Sequence, residues 1–218
     1  MTTLTYTAPA IERLPIDDSF ATPATADQLA RAAAALRAHG MDVRIADTAD
    51  EAADMALSLI PEGAEIHSGA SDSLTAIGLT EVIERSGRFD AVKPKLYAMD
   101  RATQAREIRK LGAAPDVFIN SAAAITEDGK IVWASGSGSQ LAPIANGAGK
   151  VILVVGAQKV VPDLATAFER IERYAQPLED IRMQVTYGMR SAVNKFLVVQ
   201  GERPGRTTVI LVREALGY

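Results

Sequence analysis

Three short loops rich in small and polar residues could bind an anion. They are His67–Ser73, Ser135–Gln140 and Gly156–Lys159, and each follows an apolar run that predicts a strand. Small residues let a ligand approach the backbone closely, where free N–H groups and hydroxyls can donate to it. Neither of the first two loops matches the dinucleotide glycine fingerprint or the Walker P-loop. The pattern therefore predicts an anion-binding pocket without specifying its ligand.

Catalytic groups are only weakly indicated. His67 could move protons near neutral pH, although a histidine satisfied by backbone at a strand end is the simpler interpretation. Glu127 could act as an acid or base, but the Asp-Gly pair that follows it is typical of a tight hairpin turn. Lys159 could neutralise a ligand or simply be solvated. No Gly-x-Ser-x-Gly elbow with a histidine partner occurs, so the sequence favours a binding pocket and leaves catalytic residues unknown.

The candidate ligand contacts follow from the position of these loops. In open α/β sheets a ligand lies beyond the carboxyl ends of the strands, and two loops at one edge would line one pocket. The predicted ligand-binding residues are Ser68, Gly69, Ser71, Ser73, Asn120, Ser121, Thr126, Gly136, Ser137, Gly138, Ser139, Gln140, Gln158 and Lys159.

Composition excludes several classes of protein. A net charge of −4 argues against nucleic-acid binding, and no apolar run approaches the roughly 18 residues that span a bilayer. The N-terminus lacks the basic start and apolar core of a signal peptide, so we expect a cytoplasmic protein. With no cysteine and two histidines, the chain cannot form disulfides, Cys-ligated iron–sulfur clusters or a His-rich metal site. We therefore predict no metal and no cofactor in this chain.

Strands that alternate with helices predict the fold class. The pattern favours an α/β fold, with a mainly parallel sheet covered by helices on both faces. Thr25 and Thr48 each begin a capping-box sequence at a helix start. An amphipathic stripe from Leu164 to Tyr174 predicts a helix that ends at Pro177.

The two ends of the chain differ from its middle. Residues 1–22 show no periodicity and are predicted to form an arm, before a single domain at 23–218. Near the other end, Asn194–Gln200 and Thr207–Arg213 are β-rich runs around Gly201–Gly205. This arrangement predicts a C-terminal antiparallel β-hairpin.

Five segments, in order, resemble the LUD (lactate utilization) domain family. They are Ser68–Leu74, Ile119–Val132, Gly136–Gln140, Val151–Val161 and Arg170–Leu178. The resemblance implies the fold shared by ribose-5-phosphate isomerase (RpiA), glucosamine-6-phosphate deaminase (NagB) and CoA transferases. It also implies a role like that of the LutC subunit, which belongs to a set of proteins that oxidise L-lactate to pyruvate. Sister subunits of that set carry the iron–sulfur centres, in agreement with a chain that lacks cysteine.

Three departures limit what the resemblance implies. Many family members have Asn-Arg after the second glycine loop, where this chain has Ser139-Gln140 and lacks a fixed positive charge. Many also end in a cysteine cluster that is absent here. Sugar-phosphate isomerases use the aspartate of a related Gly-Ala-Asp-x-Ile motif, and the aligned residue is Ala123. This substitution argues against isomerase chemistry.

Three functions stay open on the sequence. The leading hypothesis is a LutC-like accessory protein of lactate or organic-acid oxidation, which holds a small anionic metabolite or a partner loop beside iron–sulfur partner subunits. The alternative is a stand-alone enzyme on a sugar phosphate, folate or acyl-CoA, with His67 or Glu127 moving protons. The third is a ligand-sensing regulatory module. The arm and the predicted hairpin are natural dimer-forming parts, so we expect a homo-oligomer.

Overall fold

The computed structural model describes residues 13–218, which form eight α-helices and ten strands in two sheets. The helices are α1 Ala26–Ala38, α2 Ala49–Ser58, α3 Asp72–Ala76, α4 Leu79–Arg85, α5 Val92–Ala98, α6 Ala105–Ala113, α7 Leu164–Arg170 and α8 Gln176–Tyr187. The strands are β1 Asp42–Ala46, β2 Glu65–Ser68, β3 Asp90–Ala91, β4 Val117–Asn120, β5 Ala124–Thr126, β6 Ile131–Ser135, β7 Lys150–Gly156, β8 Val160–Val161, β9 Lys195–Val199 and β10 Thr207–Val212.

Six parallel strands form the main sheet, in the order β1-β10-β7-β4-β2-β3. Its central strands β7 and β10 are nearly continuous apolar runs, as expected where both faces of a parallel sheet are covered. One face packs against α1, and the other packs against α2, α3 and α4. The predicted α/β class, with a mainly parallel sheet and helices on both faces, is confirmed.

A second, mixed sheet has the order β8-β5-β6-β9. β5 and β6 form an antiparallel hairpin with the predicted Asp-Gly turn, in which Gly129 has a φ of +82°. Ala167 of α7 packs on this sheet against Ala124 and Val132. The second sheet therefore has a small apolar core of its own.

The predicted C-terminal antiparallel β-hairpin is wrong. β9 pairs antiparallel with β6 in the second sheet, whereas β10 lies parallel between β1 and β7 in the main sheet. Gly201–Gly205 therefore links two sheets instead of two paired strands. Burial is the physical reason, because every residue of β10 is buried and an interior parallel position covers both faces of such a strand.

The amphipathic helix also continues past Pro177, where the sequence predicted its end. α7 passes into a π-helical stretch at Ile171–Ala175 and then into α8, which ends at Gly188 with a φ of +65°. The Gln176 N–H donates to the carbonyl of Ile171, five residues back. This wider turn accommodates a proline, which has no N–H to donate.

The predicted N-terminal arm is described only in part, since residues 1–12 lie outside the described range. Within the rest, Asp17 caps a 3-10 turn at Asp18–Ala21. The Asp17 N–H donates to the carbonyl of Arg173, whose guanidinium lies 2.8 Å from the Asp17 carboxylate. The domain boundary at residue 23 stays a prediction. No helix within residues 13–218 is long and apolar enough to cross a membrane.

Candidate anion site at Lys159

Lys159 lies at the centre of a closed polar cluster. It ends a 3-10 turn, Ala157–Lys159, that leads from β7 of the main sheet to β8 of the second sheet. Its Nζ donates to Ser73 Oγ at 2.8 Å and to Ser121 Oγ at 3.1 Å. Ser73 follows β2 and Ser121 follows β4, and β7, β4 and β2 are consecutive strands of the main sheet in that order. The cluster therefore lies at the carboxyl edge of the sheet, where open α/β folds bind ligands.

Burial opposes the positive charge of Lys159. The residue is 1% exposed, and no carboxylate within residues 13–218 forms an ion pair with it. Desolvation, followed by the charge of Arg170, lowers the pKa of the Lys159 amine well below its usual range, while Asp72 acts in the opposite direction. The two serine hydroxyls match the two N–H groups of an uncharged amine, whereas an ammonium has a third N–H to satisfy.

Arg170, the last residue of α7, is a second fully buried cation. Its Nε donates to the carbonyl of Gln158 at 3.1 Å, and its Nη1 donates to the carbonyl of Ala123 at 2.6 Å. Its Nη2 has no hydrogen-bond partner among the described residues. Desolvation lowers the pKa of Arg170 to about 10. Arg170 is thus fixed beside Lys159 with one donor unused.

Arg206, the other buried arginine of the described chain, differs from Arg170 in its partners. Its guanidinium pairs with the Glu202 carboxylate and also donates to three backbone carbonyls, those of Pro143, Ile144 and Ala148. Its charge is therefore compensated within the fold. Neither Lys159 nor Arg170 has such a carboxylate among residues 13–218. The Arg170 guanidinium instead lies over the ring of Tyr174, 5.2 Å from its centroid, which offsets less of the desolvation cost than an ion pair would.

The segment after β10 covers the cluster, and we call residues 214–218 the closing segment. Ser73 Oγ donates to the carbonyl of Leu216 at 2.9 Å. The Leu216 N–H donates to Gln158 Oε1 at 3.1 Å, and Gln158 Nε2 donates to the carbonyl of Gly217 at 2.7 Å. A Cβ atom on Gly217 would lie 2.6 Å from the Ser73 nitrogen, so this approach requires glycine.

Asn120 joins the first and second loops. Its Nδ2 donates to Gln140 Oε1 at 3.0 Å, and its Oδ1 accepts from the Ser121 N–H at 2.8 Å. The same amide packs against Gly69, where a Cβ atom would lie 2.6 Å from it. The predicted site residues Gly69, Asn120, Ser121 and Gln140 are therefore neighbours, and Ser121 connects them to Lys159.

The rest of the second glycine loop lies apart from the cluster. The strand before it, β6, belongs to the second sheet, so the two glycine loops do not leave the same sheet as we expected. Gly138 lies against the side chain of Lys195, and the Gly136 carbonyl accepts from Asn194 Nδ2 at 3.1 Å. Ser137 and Ser139 hydrogen-bond to each other. Of this loop, Gln140 reaches toward the cluster, through its hydrogen bond with Asn120, the residue before Ser121.

The two weak catalytic candidates have structural partners. His67 Nδ1 lies 3.1 Å from the carbonyl of Gly112, and burial lowers the pKa of the ring. Glu127 binds Arg31 at 2.6 Å and Gln28 at 3.0 Å, and the hydrogen bond from Arg31 lowers the pKa of its carboxyl group. Both side chains thus have hydrogen-bond partners outside the Lys159 cluster.

Three further predicted residues also have partners outside the cluster. Ser68 Oγ donates to Glu84 at 2.7 Å. Ser71 caps α3 by accepting from the Leu74 N–H at 3.3 Å. Thr126 accepts from the Lys130 N–H at 2.9 Å within the β5–β6 turn. Of the predicted set, Ser73, Ser121, Gln158 and Lys159 form the cluster.

The family follows from a match over most of the chain. The sequence model of the LUD domain matches residues 29–212. The chain belongs to the LUD domain family. This LUD-family chain is similar to the crystal structure, at 1.70 Å resolution, of a DUF162 family protein from Deinococcus radiodurans. The identity is 16% and the TM-score 0.54, over 87% of this chain and 99% of that one.

A second solved structure, a D-ribose-5-phosphate isomerase in complex with phospho-erythronic acid, matches with 21% identity and a TM-score of 0.35. This match covers 66% of the LUD-family chain and 69% of the isomerase chain. A search of curated proteins gives no match. The predicted family is confirmed, and it links the chain to lactate utilization. The matched range includes Ser73, Ser121, Lys159 and Arg170, while the closing segment lies beyond it.

Arg170 and the closing segment were not predicted as part of the site. A signal for Arg170 exists, because it follows Ala167 by three residues and precedes Tyr174 by four, which puts it on the apolar side of the helix. An arginine there has to find partners in the interior. No local sequence pattern predicts that Leu216 and Gly217 cover the cluster, since their contacts are with residues distant in the sequence.

Other features of the described surface lie apart from the cluster. Two surface cavities of about 590 and 640 Å³ are lined, respectively, by residues that include Arg37 and Lys150, and by residues that include Asp17 and Arg173. Neither is lined by Lys159 or Arg170, and both of these side chains are fully buried, so the cluster is closed in this conformation. Within residues 13–218, no group of three or more His, Asp or Glu side chains could hold a metal ion.

Proposed function

We propose that this LUD-family chain is a LutC-like accessory protein of lactate or organic-acid oxidation, and that it binds a small carboxylate metabolite at Lys159 and Arg170. The observation that carries the anion site is the fully buried guanidinium of Arg170, whose Nη2 has no hydrogen-bond partner among the described residues, beside a buried Lys159 with no carboxylate partner there. Family membership supports the link to lactate utilization.

Desolvation makes the buried guanidinium of Arg170 energetically costly. Removing an ion from water costs on the order of several kcal/mol, and a buried cation without a counter-charge recovers little of that. An entering carboxylate would supply the missing charge and accept from the unused Nη2 of Arg170. The hydroxyls of Ser73 and Ser121 would then orient the ligand beside Lys159. For a ligand to reach this site, the closing segment has to move.

Iron–sulfur partners complete the proposal. The chain has no cysteine, so the thiolate ligands of a cluster would come from companion chains. Exposed apolar side chains near the end of α8 support a docking role there, since Val185, Tyr187 and Met189 are each more than half exposed. We propose the same surface for self-association into a homo-oligomer. Sedimentation of the purified chain at two concentrations tests that part separately.

A thermal-shift series tests the anion site. Lactate, pyruvate, ribose 5-phosphate and acetyl-CoA are added to the full chain, and a ligand present at 100 times its Kd should stabilise it by about 2.7 kcal/mol. We expect stabilisation by lactate or pyruvate in the wild type and in Lys150→Met, and none in Lys159→Met. Lys150 is the matched control because it is partly buried but lies at the other end of β7.

Two results would count against the proposal. Equal stabilisation of Lys159→Met would move the anion site elsewhere. Stabilisation by ribose 5-phosphate or acetyl-CoA alone would favour a stand-alone enzyme over the lactate role. For the partner, purified iron–sulfur proteins encoded beside this chain are mixed with it, and co-elution together with electron transfer from lactate is the expected result.

A further inference from the structure

Lys159 has the geometry of a nucleophilic amine. Its two hydrogen bonds go to Ser73 Oγ and Ser121 Oγ, which both accept, so an uncharged Nζ would use both of its N–H groups and keep its lone pair free. It is also the one fully buried lysine among residues 13–218. Structural lysines ordinarily bury their methylene stem and keep the nitrogen in water, which this residue does not do.

The surroundings combine two known means of activating a lysine. Amine nucleophiles are activated by desolvation in a closed site or by a neighbouring cation, because both disfavour the ammonium form. Lys159 has both, since it is buried and Arg170 acts on it electrostatically. Arg170 is held in place by the carbonyl of Gln158, the residue directly before Lys159. The second cation is therefore built into the same turn.

We propose that Lys159 forms a covalent imine with the carbonyl carbon of a small 2-oxo acid whose carboxylate binds Arg170. The inference rests on the proposed anion site and deepens it, because it assigns a reaction to that site. The Nη2 of Arg170 is the unused donor that would take the carboxylate oxygen. A 2-oxo acid has its electrophilic carbon directly bonded to that carboxylate, so one small molecule can satisfy both groups.

The step balances without a further reactant. The Nζ lone pair attacks the carbonyl carbon, and the C=O π electrons move to oxygen to give a carbinolamine. One amine proton passes to that oxygen, through the hydroxyl of Ser73 or Ser121, both of which already accept from Nζ. Loss of water then gives the C=N bond. The reverse addition of water releases the oxo acid and the free amine.

Access requires displacement of the closing segment. The closing segment follows β10 and does not pair with any strand. Much of it is held in place by hydrogen bonds with side chains. Gln158 binds Leu216 and Gly217, and the hydroxyl of Tyr218 donates to Glu179 at 2.5 Å. When Leu216 leaves, Ser73 Oγ loses its present acceptor and is free to relay a proton. Opening of this segment therefore also frees the proton relay.

Reductive trapping tests the proposal on the full wild-type chain. The protein is incubated with pyruvate and sodium cyanoborohydride, which reduces an imine to a stable secondary amine, and is then analysed by intact mass and peptide mapping. The expected adduct adds the mass of pyruvic acid less one oxygen, and it lies on Lys159. Because burial and Arg170 favour the uncharged amine of Lys159, we expect the adduct at pH 7 to lie predominantly on Lys159, with little on exposed Lys195. This preference should shrink toward pH 10.

The outcomes separate this inference from the function on which it rests. Peptide mapping uses the wild-type chain, so its result stays valid even if Lys159→Met folds poorly. Among the variants, Lys159→Met should lose the adduct and Lys150→Met should keep it. Pyruvate binding in the thermal-shift series without an adduct at Lys159 would overturn the imine and leave the anion site standing. Neither binding nor adduct would overturn both. An adduct with glyceraldehyde 3-phosphate but not with pyruvate would overturn the assignment to 2-oxo acids.

Discussion

Replacing Lys159 by methionine should change how the stability of the protein depends on pH. In the folded chain, desolvation and Arg170 hold the pKa of Lys159 well below its usual range, whereas in the unfolded chain it is near 10.4. Between the two values the unfolded chain binds one more proton, so the free energy of unfolding rises with pH. Below the folded pKa the full penalty is present, and above about pH 10.4 it is gone.

The magnitude follows from one proton. A difference of one bound proton changes the free energy of unfolding by about 1.4 kcal/mol per pH unit. For each pH unit between the folded pKa and about pH 10.4, the wild type should therefore gain about 1.4 kcal/mol relative to Lys159→Met. For a chain of this size that corresponds to roughly 3–6 °C in Tm per pH unit. Methionine is close to lysine in volume, so the comparison leaves the packing nearly unchanged.

Urea unfolding of both proteins across this pH range measures the difference. Lys150→Met is the matched control, because the Lys150 Nζ is only partly buried and donates to the carbonyl of Leu59 at 3.3 Å. Its stability should follow the wild-type pH dependence. Parallel curves for wild type and Lys159→Met would refute the reasoning, since they would mean that Lys159 has the same charge folded and unfolded.

Three further substitutions and one control test other contacts of the described chain. Gly69→Ala places a Cβ 2.6 Å from the Asn120 amide and should lower the free energy of unfolding by about 1–3 kcal/mol, while Gly201→Ala, with its nearest atom at 3.4 Å, should change it little in the same urea assay. Asp163→Ala removes the cap of α7 and should cost about 1 kcal/mol by thermal unfolding, with an unchanged Tm contradicting the capping role. Gln158→Ala should speed hydrogen exchange in the closing segment, and protection equal to the wild type would show that other contacts hold it.

Local signals predicted the parts of the fold that depend on neighbouring residues. Thr25 forms the predicted capping box with Gln28, and Thr48 accepts from the third N–H of α2. The Asp-Gly turn forms because glycine at position 129 adopts a positive φ. The α/β class followed from the alternation of strands and helices. Each of these depends on residues within a few positions of one another.

Partner choice between distant segments could not be predicted in the same way. The β-rich runs at 194–200 and 207–213 have the pattern of a hairpin, but the strands they contain find partners in two different sheets. The first and third loops meet because β2, β4 and β7 are consecutive strands of the main sheet. Lys159, after β7, therefore donates to Ser73, after β2, and to Ser121, after β4. A sequence gives the chemistry of such residues, whereas the pairing of strands decides which of them meet.

The position of β10 has a consequence for synthesis of the chain. β1 is the first strand of the described residues and β10 is the last, yet they are paired, and β10 alone connects β1 to β7. While the ribosome is still making the middle of the chain, β1 and α1 have no sheet to join. Contacts between such distant segments form slowly, and unpaired edges on either side of the gap are prone to aggregate. We therefore expect the nascent chain to depend on chaperones until Val212 has emerged, and a chain that stops before Thr207 to be insoluble.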